Sequence, residues 1–167
     1  MLTTQQMHTK TLFVTLLIGM GIIPLKAWAQ ATPHLKSRLE KAPAAVTLHG
    51  VKMSLTAELW YDQMPSVGSA TKKHLLGVLR LVGEGKRLPA VAIDRAWILH
   101  QNRLWQCKVE RQSSEPNRAA AEFRLLDTPS VEEIPAGAEV TVVARLRLKN
   151  KRSWLLKTPT QTVQNVY

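Results

Sequence analysis

Residues 51–62 read VKMSLTAELWYD, and apolar and polar side chains alternate along nearly the whole stretch. Alternation over so many positions predicts a β-strand with one buried and one solvated face. Residues 139–148, EVTVVARLRL, repeat the pattern and place Arg145 and Arg147 on the outward face. These two segments predict a chain built mainly of β-strands.

Between and beyond them, short apolar runs are separated by turn-forming residues. The predicted strands are 51–62, 74–82, 91–100, 104–111, 119–126, 139–148 and 153–157, and residues 160–167 extend the edge. Closely spaced short strands, without a convincing amphipathic helix, indicate a sandwich or a barrel. The expected fold is an all-β, seven-stranded antiparallel immunoglobulin-like or fibronectin-like sandwich in a single domain over 46–167, and the alternative is a small open barrel.

The strand phases also predict the centre of the core. Trp97 is expected to point inward with its neighbours Ile93 and Leu99, and Trp105 to face it across a hairpin. Phe123, Val140 and Val142 complete this predicted centre. Buried aromatic rings contribute strongly to the stability of small domains because they remove a large area from water.

The amino-terminal residues 1–29 are typical of a secretory signal peptide. Lys10 precedes an apolar run over 12–25, which is shorter than the roughly 20 residues of a bilayer-spanning helix. The small residues of Ala27-Trp28-Ala29 predict cleavage before Gln30, and a cut before Thr32 also fits. We therefore expect an exported, periplasmic or secreted protein in which no later segment spans the membrane.

Residues 30–45 contain Pro33 and Pro43 among polar and basic residues, and they are expected to form a flexible leader. The whole chain has 167 residues with 23 Lys and Arg against 12 Asp and Glu. Removal of 1–29 takes away two lysines and no acid, which leaves a net charge of +9. The mature protein is thus strongly basic.

Few signs of catalysis or metal binding are present. The single cysteine, Cys107, excludes an intrachain disulfide framework and shares a predicted strand face with Trp105 and Val109. It is interpreted as a buried apolar residue, with a nucleophile or copper ligand as the alternatives. No HExxH, GxSxG, P-loop or GxGxxG motif occurs, so no catalytic residue, metal ligand or cofactor is assigned.

Soft side chains that could hold copper are nevertheless present in the mature chain. They are His34, His49, His74, His100, Met53 and Met64. The Met53–Met64 spacing resembles that of periplasmic copper chaperones, but Lys86 stands where that pattern needs a histidine. These residues are interpreted as surface histidines and core methionine.

The carboxy-terminal residues 140–167 contain no Asp or Glu. The candidate binding residues are the clustered cations and one outward-facing aromatic residue: Arg145, Arg147, Lys149, Lys151, Arg152 and Trp60. Such a patch attracts an anionic polysaccharide, lipid headgroups or an acidic envelope protein. A nucleic-acid partner is disfavoured, and the structural alternative is a charged edge that deters aggregation.

Three stretches carry a resemblance to known sequences. LTAELWYDQMP at 55–65, DRAWIL at 94–99 and LW at 104–105 resemble a loose group of uncharacterised exported bacterial small β-sandwich proteins, over roughly residues 50–148. The resemblance implies a small β-sandwich and no known activity.

The expected function is a non-catalytic binding or assembly module of the cell envelope. The alternative is a periplasmic copper carrier or a small enzyme with a site assembled across loops.

Overall fold

The computed structural model describes residues 33–63, 73–85, 87–112 and 119–167. The predicted signal peptide over 1–29, its two cleavage sites, Met64 and Lys86 lie outside the described residues. One helix, α1 (Pro33–Glu40), precedes the strands. The strands are β1 (Ala45–Leu48), β2 (Val51–Asp62), β3 (Leu76–Gly83), β4 (Val91–His100), β5 (Arg103–Arg111), β6 (Ala120–Leu126), β7 (Glu139–Leu148), β8 (Ser153–Lys157), β9 (Gln161–Thr162) and β10 (Gln164–Val166).

The strands form one sheet in the order β1-β2-β3-β6-β5-β4-β7-β8, in which all neighbours are antiparallel. β10 pairs with β2 in parallel, and β9 pairs with β7. The Lys157 amide donates to the Pro43 carbonyl at 2.9 Å, which brings β8 beside the chain leading into β1. The all-β prediction is confirmed, and the nearly closed, barrel-like sheet matches the small open barrel given as the alternative to a sandwich.

The interior of the barrel is filled by the inward-facing side chains of β2 to β8. The largest wholly buried ones include Tyr61, Phe123, Met53, Leu55, Leu79, Leu81, Ile98, Leu146 and Leu156. Trp105, Phe123, Val140 and Val142 belong to this core, as the strand phases predicted. The core is therefore continuous around the barrel.

Trp97 is the exception, and a β-bulge is the cause. The register between β4 and β7 shifts between Ile93 and Arg95, so the buried face changes from Val91 and Ile93 to Ala96 and Ile98. Trp97 is only 4% exposed, yet it lies on the outside of the barrel in a second apolar cluster. The prediction that it faces Trp105 inside one core is wrong, because an extra residue in a strand reverses the alternation beyond it.

The expected flexible leader contains helix α1, which covers this second cluster. Leu39 of the helix and Ala42 just beyond it are buried against Trp97 and Val143. The Lys36 ammonium also donates to the Asn102 side-chain oxygen at 2.8 Å. Within this leader, which was expected to be flexible, the helix covers Val143, which alternation places on the outer face, and Trp97, which the bulge turns outward.

Two sets of connections close the two ends of the barrel. The hairpin end carries the β1–β2, β3–β4 and β7–β8 connections, since the pairings Leu48↔Val51, Val91↔Leu148 and Arg147↔Ser153 all lie there. The opposite end carries the β4–β5 turn and the long connection over 127–138. The 149–152 turn thus points away from the end at which β2 finishes.

The long connection at the opposite end is pinned to the barrel by polar contacts. The Tyr61 hydroxyl donates to the Ile134 carbonyl at 2.6 Å, and burial, followed by the nearby Glu133 carboxylate, raises the pKa of Tyr61 to about 12. Glu133 accepts from the Ser130 amide at 2.7 Å, as in a capping box that starts a helical turn. The Tyr61 hydroxyl and Glu133 Oε2 are thus used to hold the long connection in place.

Candidate anion-binding surface

The bulge in β4 decides which side chains meet on the outer face. Asp94 and Arg95 are consecutive in sequence, and both reach the outer face because the phase changes between them. Arg145 of β7 lies opposite Arg95 in the strand pairing, and Arg147 lies opposite Ala92. Bulges commonly re-aim side chains in this way. The result is one carboxylate among three guanidinium groups.

Asp94 is held tightly by Arg145. The Arg145 Nε donates to Oδ1 at 2.8 Å and its Nη2 donates to Oδ2 at 2.7 Å, a two-pronged pair. The hydrogen bond from Arg145 is the main reason why the pKa of Asp94 lies below its usual range; Arg147 and Arg95 lower it further, and partial burial opposes them. Arg145 is therefore not the free cation that the sequence predicted, and it serves to hold Asp94.

Arg147 and Arg95 make longer polar contacts within the chain than Arg145 does. The Arg147 Nη1 is 3.5 Å from Asp94 Oδ2, and its side chain is 49% exposed against 32% for Arg145. The Arg95 Nη1 is 3.5 Å from the Gln106 side-chain oxygen, which is longer than a good hydrogen bond. Both guanidinium groups keep donors for a further partner.

The hairpin after β7 extends this surface with Lys149, Lys151 and Arg152, which are all exposed. Its backbone is well defined: the Lys151 amide donates to the Leu148 carbonyl, and the Leu148 amide to the Arg152 carbonyl, both at 3.0 Å. Within the described ranges no carboxylate pairs with any of these three cations. We call Arg95, Arg145, Arg147, Lys149, Lys151 and Arg152 together the basic surface.

Trp60, the remaining predicted binding residue, does not join the basic surface. It lies near the last residue of β2, where it pairs with Leu76 of β3 and Gln164 of β10. This places it at the opposite end of the barrel, half-buried on the outer face. The sequence therefore grouped residues that the fold separates.

Asp94 and Arg95 were not predicted as site residues, because simple alternation places only one of two consecutive residues on the outward face of a strand. The available signal was the adjacent pair of charges in an otherwise apolar strand, IDRAWIL at 93–99. Two neighbouring residues cannot both face solvent in a regular strand that is buried on one side. Such a pair is a sequence indication of a bulge.

The other residues considered for chemistry are placed elsewhere. Cys107 is 1% exposed inside the barrel, and burial, with a smaller effect from Asp127, raises the pKa of its thiol to about 12. His74 and His100 each have Nδ1 beside a backbone carbonyl, that of Thr128 at 3.1 Å and that of Glu139 at 2.9 Å. The described parts of the chain hold no group of three or more His, Cys, Asp or Glu that could bind a metal ion.

A cleft lies beside the end of α1. Leu39, Leu99, Lys157 and Thr158 are among the residues that line it. The Lys157 ammonium donates to the Glu40 carbonyl at 2.9 Å, and the Thr158 hydroxyl accepts from the Val142 amide at 3.1 Å. These two polar groups of the cleft are thus used within the chain, whereas Lys149, Lys151 and Arg152 of the basic surface have no ion pair among the described residues.

Among the described residues, no helix is both long and apolar enough to cross a bilayer.

Comparison of the chain with protein-family models, with curated proteins and with solved structures finds no match in any of the three.

Proposed function

We propose that the protein is an exported, non-catalytic binding module of the cell envelope, and that its basic surface engages an anionic partner. The observation that carries the proposal is the exposed cation cluster on the β7–β8 hairpin and the adjoining outer face. Lys149, Lys151 and Arg152 extend from the strand that holds Arg147, without a described acidic partner. Converging cations of this kind raise the local concentration of anions and steer their approach.

The distribution of charge along the barrel supports the same proposal. At the opposite end, acidic residues accumulate in and around the long connection: Asp62, Asp127, Glu132, Glu133 and Glu139. The cations at the hairpin end include Lys52, Arg87, Arg147, Lys149, Lys151 and Arg152, and Glu84 pairs with Lys52. At the opposite end, Lys108 pairs with Asp127 and Lys73 is exposed, so the excess of cations lies at the hairpin end. A barrel polarised in this way would orient itself with its hairpin end toward an anionic partner.

Export is the first testable part of this proposal. If the Ala27-Trp28-Ala29 site is used, protein recovered from the periplasm should begin at Gln30, and use of the second site should give Thr32. Intact-mass measurement of the exported protein distinguishes these termini. Recovery of the protein with Met1 retained would contradict signal cleavage.

Reversal of the hairpin charges tests the binding surface. The triple variant Lys149→Glu, Lys151→Glu, Arg152→Glu should elute from an anionic matrix at much lower salt than the wild type. Exposed charges are screened over about 8 Å at physiological salt, so retention should be salt-sensitive in the wild type. The measurement is the eluting salt concentration, with thermal melting to verify the fold.

The matched control reverses three exposed cations away from the hairpin: Lys41, Lys73 and Arg124. It changes the net charge by the same amount, so a response to overall charge alone would shift both variants equally. We expect the control to elute close to the wild type. Equal shifts for the two variants would refute a localised binding surface.

A further inference from the structure

We propose that Arg95 and Arg147, positioned around the Asp94–Arg145 pair, form a binding site for a phosphate monoester group. This inference rests on the proposed function, because it names the ligand chemistry of the basic surface. The two arginines belong to neighbouring strands, and both act on the same Asp94 carboxylate. The fold therefore brings both guanidinium groups within electrostatic reach of one carboxylate, Arg147 from β7 and Arg95 from the side of β4 on which it contacts Gln106 of β5.

The hydrogen bonds determine which groups are left for a ligand. Arg145 uses Nε and Nη2 on the two Asp94 oxygens, at 2.8 and 2.7 Å, so this pair forms a rigid base. Arg147 touches that base with Nη1 only, at 3.5 Å, and remains half exposed. Arg95 contacts Gln106 only at 3.5 Å. Donors on Arg95 and Arg147 remain for an external oxyanion, while Arg145 acts as a positioning residue.

The charges indicate the class of anion. One carboxylate offsets one of the three guanidinium groups, which leaves two positive charges at the cluster. A phosphate monoester carries about −1.5 to −2 at neutral pH and offers several acceptor oxygens, so it fits better than a carboxylate with a single charge. Arginine forks also match phosphate geometry with two parallel hydrogen bonds, which lysine cannot provide.

The strand pairing gives an independent reason to assign a role to the cluster. Arg95 and Arg145 lie directly opposite each other in the β4–β7 pairing. Like charges at opposite positions destabilise a sheet, and Asp94 compensates for only one of them. A bound dianion would remove this repulsion.

The variant Asp94→Asn distinguishes a specific phosphate site from long-range electrostatic attraction, because the two predict opposite changes in phosphate affinity. Asp94→Asn makes the protein more positive, so long-range attraction predicts tighter binding of inorganic phosphate. The proposed site predicts the reverse, because Arg145 and Arg147 lose the carboxylate that organises them. We expect Asp94→Asn to weaken binding of inorganic phosphate and of glycerol phosphate by about tenfold, as for loss of one charged hydrogen bond.

Arg147→Lys provides the second variant, since it keeps the charge and removes the planar fork. It should also weaken phosphate binding by about tenfold, and it leaves the Asp94–Arg145 pair intact if Asp94→Asn fails to fold. Acetate should bind far more weakly than phosphate to the wild type. Binding constants come from titration calorimetry, with thermal melting of each variant as the fold control. Unchanged or tighter binding of phosphate by the folded variants would overturn the site.

Two further arms separate the sources of the phosphate group and the two proposals. Vesicles with phosphatidic acid present a lipid phosphate monoester, and vesicles with phosphatidylglycerol present a diester for comparison. A preference for phosphatidic acid that is lost in Arg147→Lys identifies a lipid headgroup as the source of the phosphate. Binding of glycerol phosphate without binding to either vesicle identifies a soluble phosphate monoester. The hairpin triple variant should lose matrix retention but change phosphate affinity less than Arg147→Lys. Matrix retention without any phosphate binding would refute this site and leave the proposed function standing.

Discussion

Trp97→Ala is expected to lower the free energy of unfolding by about 3–5 kcal/mol, the usual range for removal of a large buried side chain. Trp97 is 4% exposed and packs between the outer face of the sheet and α1, against Leu39, Ala42 and Val143. The truncation removes the surface on which α1 lies. A helix of eight residues is not stable in water without such packing. Chemical denaturation measures the loss, and amide exchange should show α1 exchanging before the barrel.

Trp97→Phe is the matched control. The Trp97 indole N–H is buried without a hydrogen-bond partner within the described residues. Phenylalanine keeps most of the packing and removes this unpaired donor, whose burial has a cost of its own. We therefore expect a much smaller loss than for alanine. A loss below about 1 kcal/mol for Trp97→Ala would place the ring outside a packed cluster and contradict this account of α1.

Phe123→Ala is expected to lower the free energy of unfolding by a similar amount, about 3–5 kcal/mol, but with a different consequence. Phe123 is 1% exposed at the middle of β6, between Leu79 of β3 and Arg111 of β5. The cavity would lie inside the barrel, so the whole sheet should lose protection together. Since a domain has about 5–15 kcal/mol of stability in total, the variant should be near unfolding at room temperature.

Leu126→Ala on the same strand provides the control, because Leu126 is only half-buried on the outward side. Its loss should be well below that of Phe123→Ala. The milder pair Trp97→Phe and Phe123→Leu should have additive effects within about 0.5 kcal/mol, because the two rings belong to separate clusters. Strong coupling between them would argue for the single core that the strand phases had predicted.

The bulge at Asp94 and Arg95 links the stability of the fold with the proposed binding surface. It turns Trp97 outward, where α1 covers it, and it also brings Asp94 to Arg145. Deletion of Asp94 would restore regular alternation and leave Trp97 outward, because Ile93 and Arg95 already pair with the consecutive residues Leu146 and Arg145, but it would remove the carboxylate from the arginine cluster. The apolar cluster under α1 and the arginine cluster are thus two results of one irregularity in β4.

Much of the architecture could be predicted from local patterns. Alternation over 51–62 and 139–148 predicted the long strands β2 and β7. The burial of Cys107, Phe123, Val140 and Val142 followed from the same two-residue period. These features depend on side-chain direction within a single strand, which sequence spacing determines directly.

The contacts between neighbouring strands could be seen only in the folded molecule. The curvature that makes one sheet nearly close on itself, the bulge in β4 and the docking of α1 all depend on contacts between residues far apart in sequence. Alternation carries no information on such pairing, so Trp97 was placed on the wrong face and Arg145 was taken as a free cation. A cation count indicates that a surface is basic, but only the partner across the strand shows which arginine is already bound and which can bind a ligand.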